Sequence, residues 1–187
     1  MQDLRRTMRA VIFVKKSVRF PGKHSVQVNG YGMTEGIAKK LVESGLFEEV
    51  IIFSKDSGLK SDYGRIITDV SDGTILDSVI LAVRKFGNIF AFAGDMPFIC
   101  IPIVSRMLIE FKGKTLCPRS GDAVLQTLHC IYAGSDLKNL DTYATRGGKS
   151  LRDFVKEFAI AMDYGREDER CFENVNFRSD IERLKLS

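Results

Sequence analysis

The chain has 187 residues, 44% hydrophobic and 28% charged, enough to bury a core and unlike the composition of a disordered or fibrous protein. Its formal net charge of +4, from 28 basic and 24 acidic residues, is mild and not gathered into a run of like charges. It suits an anionic small molecule; with no recognisable nucleic-acid-binding motif and no interleaved basic and aromatic stripe, no nucleic-acid partner is expected. Nothing approaches the roughly 20 apolar residues of a membrane span, and Met1 to Ala10 lacks the apolar centre of a signal peptide, so the expectation is a cytoplasmic protein with no membrane partner.

Short apolar runs alternate with amphipathic stretches along the chain. Ala10 to Val14 predicts a first strand. Thr34 to Glu43 predicts a helix, with Ile37, Ala38, Leu41 and Val42 on one face and Gly45 as its stop. Val50 to Phe53 predicts a second strand, Arg65 to Asp69 a third, and Ile75 to Phe86 a helix. Ile89 to Ala93 is apolar throughout and ends in Gly94-Asp95-Met96-Pro97-Phe98, the pattern of a buried parallel strand delivering one carboxylate at its C-terminal edge. A helix over Pro102 to Phe111 follows, then strands over Lys114 to Cys117 and Gln126 to Tyr132. Only a short polar loop, Arg119 to Val124, joins these two, which allows the second to run antiparallel. Helices over Lys149 to Phe158 and Ser179 to Leu186 complete the chain. The order predicts one α/β domain over residues 1–187, a doubly wound and mostly parallel sheet with helices on both faces.

In open α/β sheets ligands bind beyond the carboxyl ends of the strands. Asp95 is placed there either to hold a divalent metal or to cap the next helix. After the first strand comes Lys15-Lys16-Ser17-Val18-Arg19-Phe20-Pro21-Gly22-Lys23, a basic loop able to wrap a triphosphate, although taken alone it reads more readily as solvated surface. It is not a P-loop, because G-x-x-x-x-G-K-[ST] is absent. Cys100, Cys117, Cys130 and Cys171 contain no C-x-x-C pair, so neither a zinc site nor a disulfide framework is expected, and Cys117 and Cys130 read as small buried hydrophobes. His24 and His129 have no evident catalytic partner; His129 reads as a half-buried strand histidine with a backbone partner.

Six segments in order, S-V-R-F-P-G-K-H, G-Y-G-M-T-E-G-I-A-K-K-L, A-G-D-M-P-F-I, L-Q-T-L-H-C-I-Y, K-S-L-R-D-F and F-E-N-V-N-F-R-S-D-I, resemble the molybdenum cofactor guanylyltransferase family of MobA-like nucleotidyltransferases. The likeness runs from about Ala10 to Leu184. It implies a Rossmann-like fold of the nucleotide-diphospho-sugar transferase type. It further implies that GMP is transferred from GTP to molybdopterin with Mg²⁺ as cofactor and release of pyrophosphate, and that molybdopterin-carrying proteins are possible partners. Carried across residue by residue, the resemblance makes Asp95 the metal ligand and Asp95, Lys23 and Arg19 the catalytic group. Lys16, Ser17, Lys23 and Asp69 bind the nucleotide, with Asp72 as a rival to Asp69. Gln126, Asn174 and Asn176 face the pterin-side substrate, and His129 is a further candidate there. Asn174 and Asn176, separated by Val175, would share one face of a strand.

The family loop opens A-G-G-x-S-x-R, whereas Phe13, Val14 and Lys15 stand here before Lys16 and Ser17. Side chains at Val14 and Lys15 change the approach that glycines would permit. The loop is closer to the S-T-R-L-P-G-K-P loop of cytidylyltransferases that activate sugar acids. Two alternatives therefore stand beside guanylyl transfer: cytidylyl transfer to molybdopterin or a sugar acid, and a nucleotide-binding homologue without catalysis.

Overall fold

The computed structural model describes residues 8–15, 22–28 and 30–183. Its main sheet has seven strands in the order β5-β4-β1-β6-β8-β7-β9. These are β1 (Arg9–Val14), β4 (Glu49–Ser54), β5 (Arg65–Thr68), β6 (Ile89–Ala93), β7 (Leu116–Arg119), β8 (His129–Tyr132) and β9 (Ile160–Asp163). A separate hairpin pairs β2 (Gln27–Val28) with β3 (Tyr31–Gly32). The helices are α1 (Met33–Glu43), α2 (Ile75–Phe86), α3 (Ile101–Glu110), α4 (Leu137–Thr145), α5 (Leu151–Phe158) and α6 (Arg178–Arg183). Strands β5, β4, β1 and β6 are mutually parallel, and β8 runs antiparallel to both β6 and β7. The mostly parallel, doubly wound sheet expected from the alternation is present.

β6 lies in the middle of the sheet, and all five of its residues are buried. Period-2 alternation sends its side chains to opposite faces. Phe90 and Phe92 join Ile12, Ile37, Leu41, Ile103 and Met107 in one core, while Ile89 and Ala91 join Val11, Phe53, Val79, Val83 and Phe154 in the other. α1 and α3 therefore cover one face, and α2 and α5 the other. α2 starts where its sequence signals a start: Thr74 and Asp77 form a reciprocal capping box.

Several expectations need correction. The strand read over Gln126 to Tyr132 is ordered as a strand only from His129, because 126–129 close a turn through the His129 amide and the Gln126 carbonyl (2.9 Å). The strand expected over Lys114 to Cys117 is displaced to Leu116–Arg119 and contains Pro118. Its ladder to β8 is confined to Leu116 opposite Ile131, as a residue without an N–H requires, while β9 pairs along its full length on the other side. β9 and α4 had no clear signal. The C-terminal helix is described over Arg178–Arg183. Cys100 and Cys171 form a disulfide, contrary to the expectation of none, and their Cα atoms are 5.4 Å apart. Cys117 and Cys130 are free and buried, as expected.

Candidate active site

The four parallel strands end side by side, and each releases a charged residue at its carboxyl end. Along the edge, in sheet order, these are Asp69 after β5, Lys55 after β4, Lys15 after β1 and Asp95 after β6. Backbone hydrogen bonds extend the ladder past the strands and hold these residues in register: Asp69 N–H to Ser54 O (2.8 Å), Lys55 N–H to Val14 O (3.0 Å) and Gly94 N–H to Phe13 O (3.0 Å). All four line one cavity of about 190 Å³, together with Phe13, Val14, Lys23, Phe53, Ile75 and Leu128. Apolar walls and a few charged groups are the usual make-up of a small-molecule site.

At the β6 end, Lys23 Nζ donates to Asp95 Oδ2 at 2.6 Å. Gly22, at φ 73°, makes the left-handed turn that a side chain would strain, and the following residue, Lys23, is buried beside Asp95. Gly94 precedes Asp95 under a different constraint. A Cβ there would stand 2.8 Å from Val14 Cγ2 and 3.2 Å from the Phe13 carbonyl oxygen, so the close contact of β1 with the β6 turn requires glycine.

At the β5 end, Asp69 is 7% exposed and fully partnered. Ser78 Oγ donates to its Oδ2 (2.6 Å), the Ser71 amide donates to its Oδ1 (2.9 Å), and Lys55 Nζ lies 3.4 Å from Oδ2. Burial pushes the Asp69 carboxyl upward, but the hydrogen bonds from Ser78 and Ser71 and the Lys55 charge outweigh it and hold the group below the usual carboxylate range. Lys55 also donates to the Ser71 carbonyl and hydroxyl. Asp72 is exposed and outside the cavity lining, so of the two rivals Asp69 is the one at the site.

The remaining sequence candidates divide. Lys16, Ser17 and Arg19 lie outside the described residues. Gln126 is not among the cavity-lining residues; its amide lies 3.4 Å from Ser120 Oγ. Asn174 and Asn176 are exposed on either side of fully buried Val175, so the predicted alternation is present, but on an irregular segment rather than a strand. The Val175 amide donates to the Asp95 carbonyl at 2.8 Å, which joins that segment to the turn carrying Asp95. His129 is not half-buried with a backbone partner. It is fully buried, neither ring nitrogen has a hydrogen-bond partner, and it packs edge-on against Phe90, Phe92 and Phe172. Burial pushes its pKa down to about 3. Lys55, Ser78, Thr34 and His24 were missed. The one signal for Lys55 was its position just past an apolar strand, the same signal that singled out Asp95.

No group of three or more His, Cys, Asp or Glu side chains able to hold a metal occurs among the described residues. The chemistry of the donor set still fits Mg²⁺, which is commonly held by one or two carboxylates plus substrate phosphates rather than by an all-protein cage. Asp95 has one carboxylate oxygen not engaged by Lys23.

Comparison with known proteins agrees with this architecture. The MobA-like NTP transferase domain matches residues 16–162. A probable molybdenum cofactor guanylyltransferase from Thermococcus gammatolerans is 27% identical, over 94% of this chain and 97% of its own. Among solved structures, the molybdopterin-guanine dinucleotide biosynthesis protein A from Archaeoglobus fulgidus superimposes with a TM-score of 0.71 at 20% identity, covering 92% of this chain and 95% of that one. CMP:2-keto-3-deoxy-manno-octonic acid synthetase, solved with CTP, also gives 0.71, at 13% identity over 95% and 96%. The likeness to these structures is one of fold, the nucleotide-diphospho-sugar transferase type. With its four parallel strands presenting charge at one edge and its family match covering most of its length, the chain belongs to the MobA-like NTP transferase domain family.

Proposed function

We propose that this protein is a Mg²⁺-dependent nucleotidyltransferase that transfers GMP from GTP to molybdopterin and releases pyrophosphate. The observation that carries the proposal is the Lys23–Asp95 pair, a buried cation and a metal-competent carboxylate 2.6 Å apart at the carboxyl end of the central strand. The reaction is an in-line attack of an acceptor phosphate oxygen on the α-phosphorus, and positioning with charge neutralisation supplies most of the catalysis. No protein nucleophile is needed. His129 is sealed in the core, and Cys117 and Cys130 are buried. Lys23 neutralises the triphosphate and then the departing pyrophosphate, while Lys55, held by Asp69, closes the opposite end of the cavity. Asp95 would hold Mg²⁺, which when bound supplies Lewis-acid polarisation of the phosphoryl oxygens. Asn174 and Asn176, joined to the Asp95 turn through Val175, would face the acceptor.

One observation favours a second reading. Val14 and Lys15 occupy cavity positions where the family carries glycine, and Val14 is packed close against Gly94. Side chains in place of glycine would leave less room for a base, which would suit a pyrimidine, and hence cytidylyl transfer to molybdopterin or a sugar acid. Calorimetric titration with GTP, CTP and ATP, with and without Mg²⁺, separates the readings. A Mg²⁺-dependent preference for GTP is expected; preference for CTP would establish the second reading, and absence of binding to all three would leave a non-catalytic homologue.

A further inference from the structure

We propose that His24 is a positioning residue that sets the spacing between the nucleotide loop and the turn carrying Asp95; the proposal rests on the nucleotidyltransferase reading. His24 follows Lys23 directly and is only 6% exposed. Its imidazole has polar contacts at both nitrogens. Nε2 lies 3.0 Å from the Lys15 carbonyl oxygen, and because a carbonyl only accepts, Nε2 is the donor. Nδ1 lies 3.1 Å from Thr34 Oγ1 and 3.2 Å from the Gly94 carbonyl oxygen; with Nε2 carrying the proton, Nδ1 of the neutral ring is an acceptor, so its hydrogen bond is the one from the Thr34 hydroxyl and the Gly94 carbonyl is a neighbour rather than a partner. The Thr34 hydroxyl, at the start of α1, is itself 3.0 Å from that carbonyl.

One buried ring therefore spans three segments distant in sequence: the residue that opens the basic loop, the first turn of α1 and the residue before Asp95. The Lys15 partner is a backbone carbonyl, so that contact does not depend on the Lys15 side chain, and the Gly94 carbonyl is linked to the ring through the Thr34 hydroxyl that lies within reach of both. The ring also lines the cavity next to Lys23. Shortening or loosening either contact moves the start of the loop relative to Asp95, which changes how a triphosphate and its metal are held together. A misplacement of about 1 Å in such a frame is enough to cost on the order of a hundredfold in rate.

The two contacts separate by substitution. A glutamine amide reaches the place of Nε2 and an asparagine amide that of Nδ1. The chain is compared with His24→Gln, His24→Asn and His24→Leu by titration with GTP and Mg²⁺, by thermal unfolding without ligand, and by carbonyl-carbon NMR shifts of the ligand-free proteins. The expected result is that His24→Leu weakens GTP binding about tenfold or more, the usual scale for a buried polar group left unpaired. His24→Gln restores GTP affinity but keeps a raised half-saturating Mg²⁺ concentration, and His24→Asn does the reverse. Gln and Asn variants that both behave as the Leu variant, with affinity falling only in step with the unfolding temperature, would show a merely structural histidine and overturn the proposal. If the unaltered chain binds none of GTP, CTP or ATP, the transferase reading falls separately and the carbonyl shifts decide the contacts. The Lys15 carbonyl should move in the Leu and Asn variants and stay in Gln, and the Gly94 carbonyl should move in Leu and Gln and stay in Asn. Both carbonyls unmoved in His24→Leu would refute the spacing role outright.

Discussion

Asp95 and His129 are both ionisable and both touch the central strand's surroundings, yet their environments give them opposite fates. Asp95 meets a cation and remains partly accessible, with its side chain 19% exposed. Asp95→Asn keeps the shape and an oxygen facing Lys23 while removing the charge a metal requires. We expect turnover to fall by about a hundredfold or more, the low end for loss of a transition-state charge contact, with little change in unfolding temperature. An Asn variant retaining most of the wild-type rate would remove Asp95 from the chemistry. His129 is enclosed by Phe90, Phe92 and Phe172 and is neutral in the folded chain, its pKa pushed from 6.5 to about 3 by burial. The unfolded chain binds a proton below about pH 6.5 that the folded chain refuses, so stability falls as the pH drops from there toward 3. At about pH 4.5 the loss should be on the order of 2–3 kcal/mol, at 1.36 kcal/mol per pH unit. His129→Leu should abolish this acid-sensitive component, since an apolar side chain asks for no partner. Urea unfolding at about pH 7.5 and 4.5 checks it, and an unchanged pH dependence in the Leu variant would mean another group is responsible.

Between elements, legibility followed packing. β1, β6, α1 and α2 were readable because two-sided burial writes continuous apolar runs and one-sided burial writes a helical stripe with caps, as Thr74 and Asp77 show. β9 was not, because Ile160–Asp163 is a largely exposed edge strand whose pairing with β7 comes from backbone hydrogen bonds that leave no apolar pattern. The site divides the same way. Asp95 is conspicuous as a carboxylate ending an apolar run, whereas Lys55 and His24 meet partners, Asp69 for the one and the Lys15 carbonyl and Thr34 hydroxyl for the other, that only the fold brings near. The Cys100–Cys171 disulfide was invisible for a related reason: its cysteines are 71 residues apart, and spacing carries no information over that distance. It fastens the Arg166–Phe172 turn to the start of α3, just after the Asp95 turn, and the next segment carries Asn174 and Asn176. Removing both sulfurs as Cys100→Ala with Cys171→Ala should lower unfolding free energy by about 2–4 kcal/mol, the usual range for a bridge closing a long loop. Denaturant unfolding of the oxidised chain and of the double variant measures it; equal midpoints would mean the bridge adds nothing to folding.

Taken as a whole, the sheet edge meets each of its two carboxylates with a cation: Asp69 faces Lys55 at one end and Asp95 faces Lys23 at the other. A metal held by Asp95 would compete with the Lys23 ammonium for that carboxylate's charge, and a triphosphate held by Lys23 would compete with the Asp95 carboxylate for the ammonium. Arriving together, each provides the partner that the other displaces, so the two should bind with positive coupling, and the coupling must be equal in both directions. A factor of roughly 5–150 is the usual size of such coupling. The fact that Mg²⁺ also binds free nucleotide in solution would mimic part of this effect, so the decisive measurement uses the metal alone. Lys23→Gln removes the competing charge while leaving Asp95 in place, and it should bind Mg²⁺ more tightly than the unaltered chain even as it binds nucleotide less tightly. Titration calorimetry of both proteins with Mg²⁺ in the absence of nucleotide reads this directly. Metal affinity that stays the same or falls in Lys23→Gln would mean that the ion pair does not compete with the metal, and that Lys23 and Asp95 act independently once substrate is present.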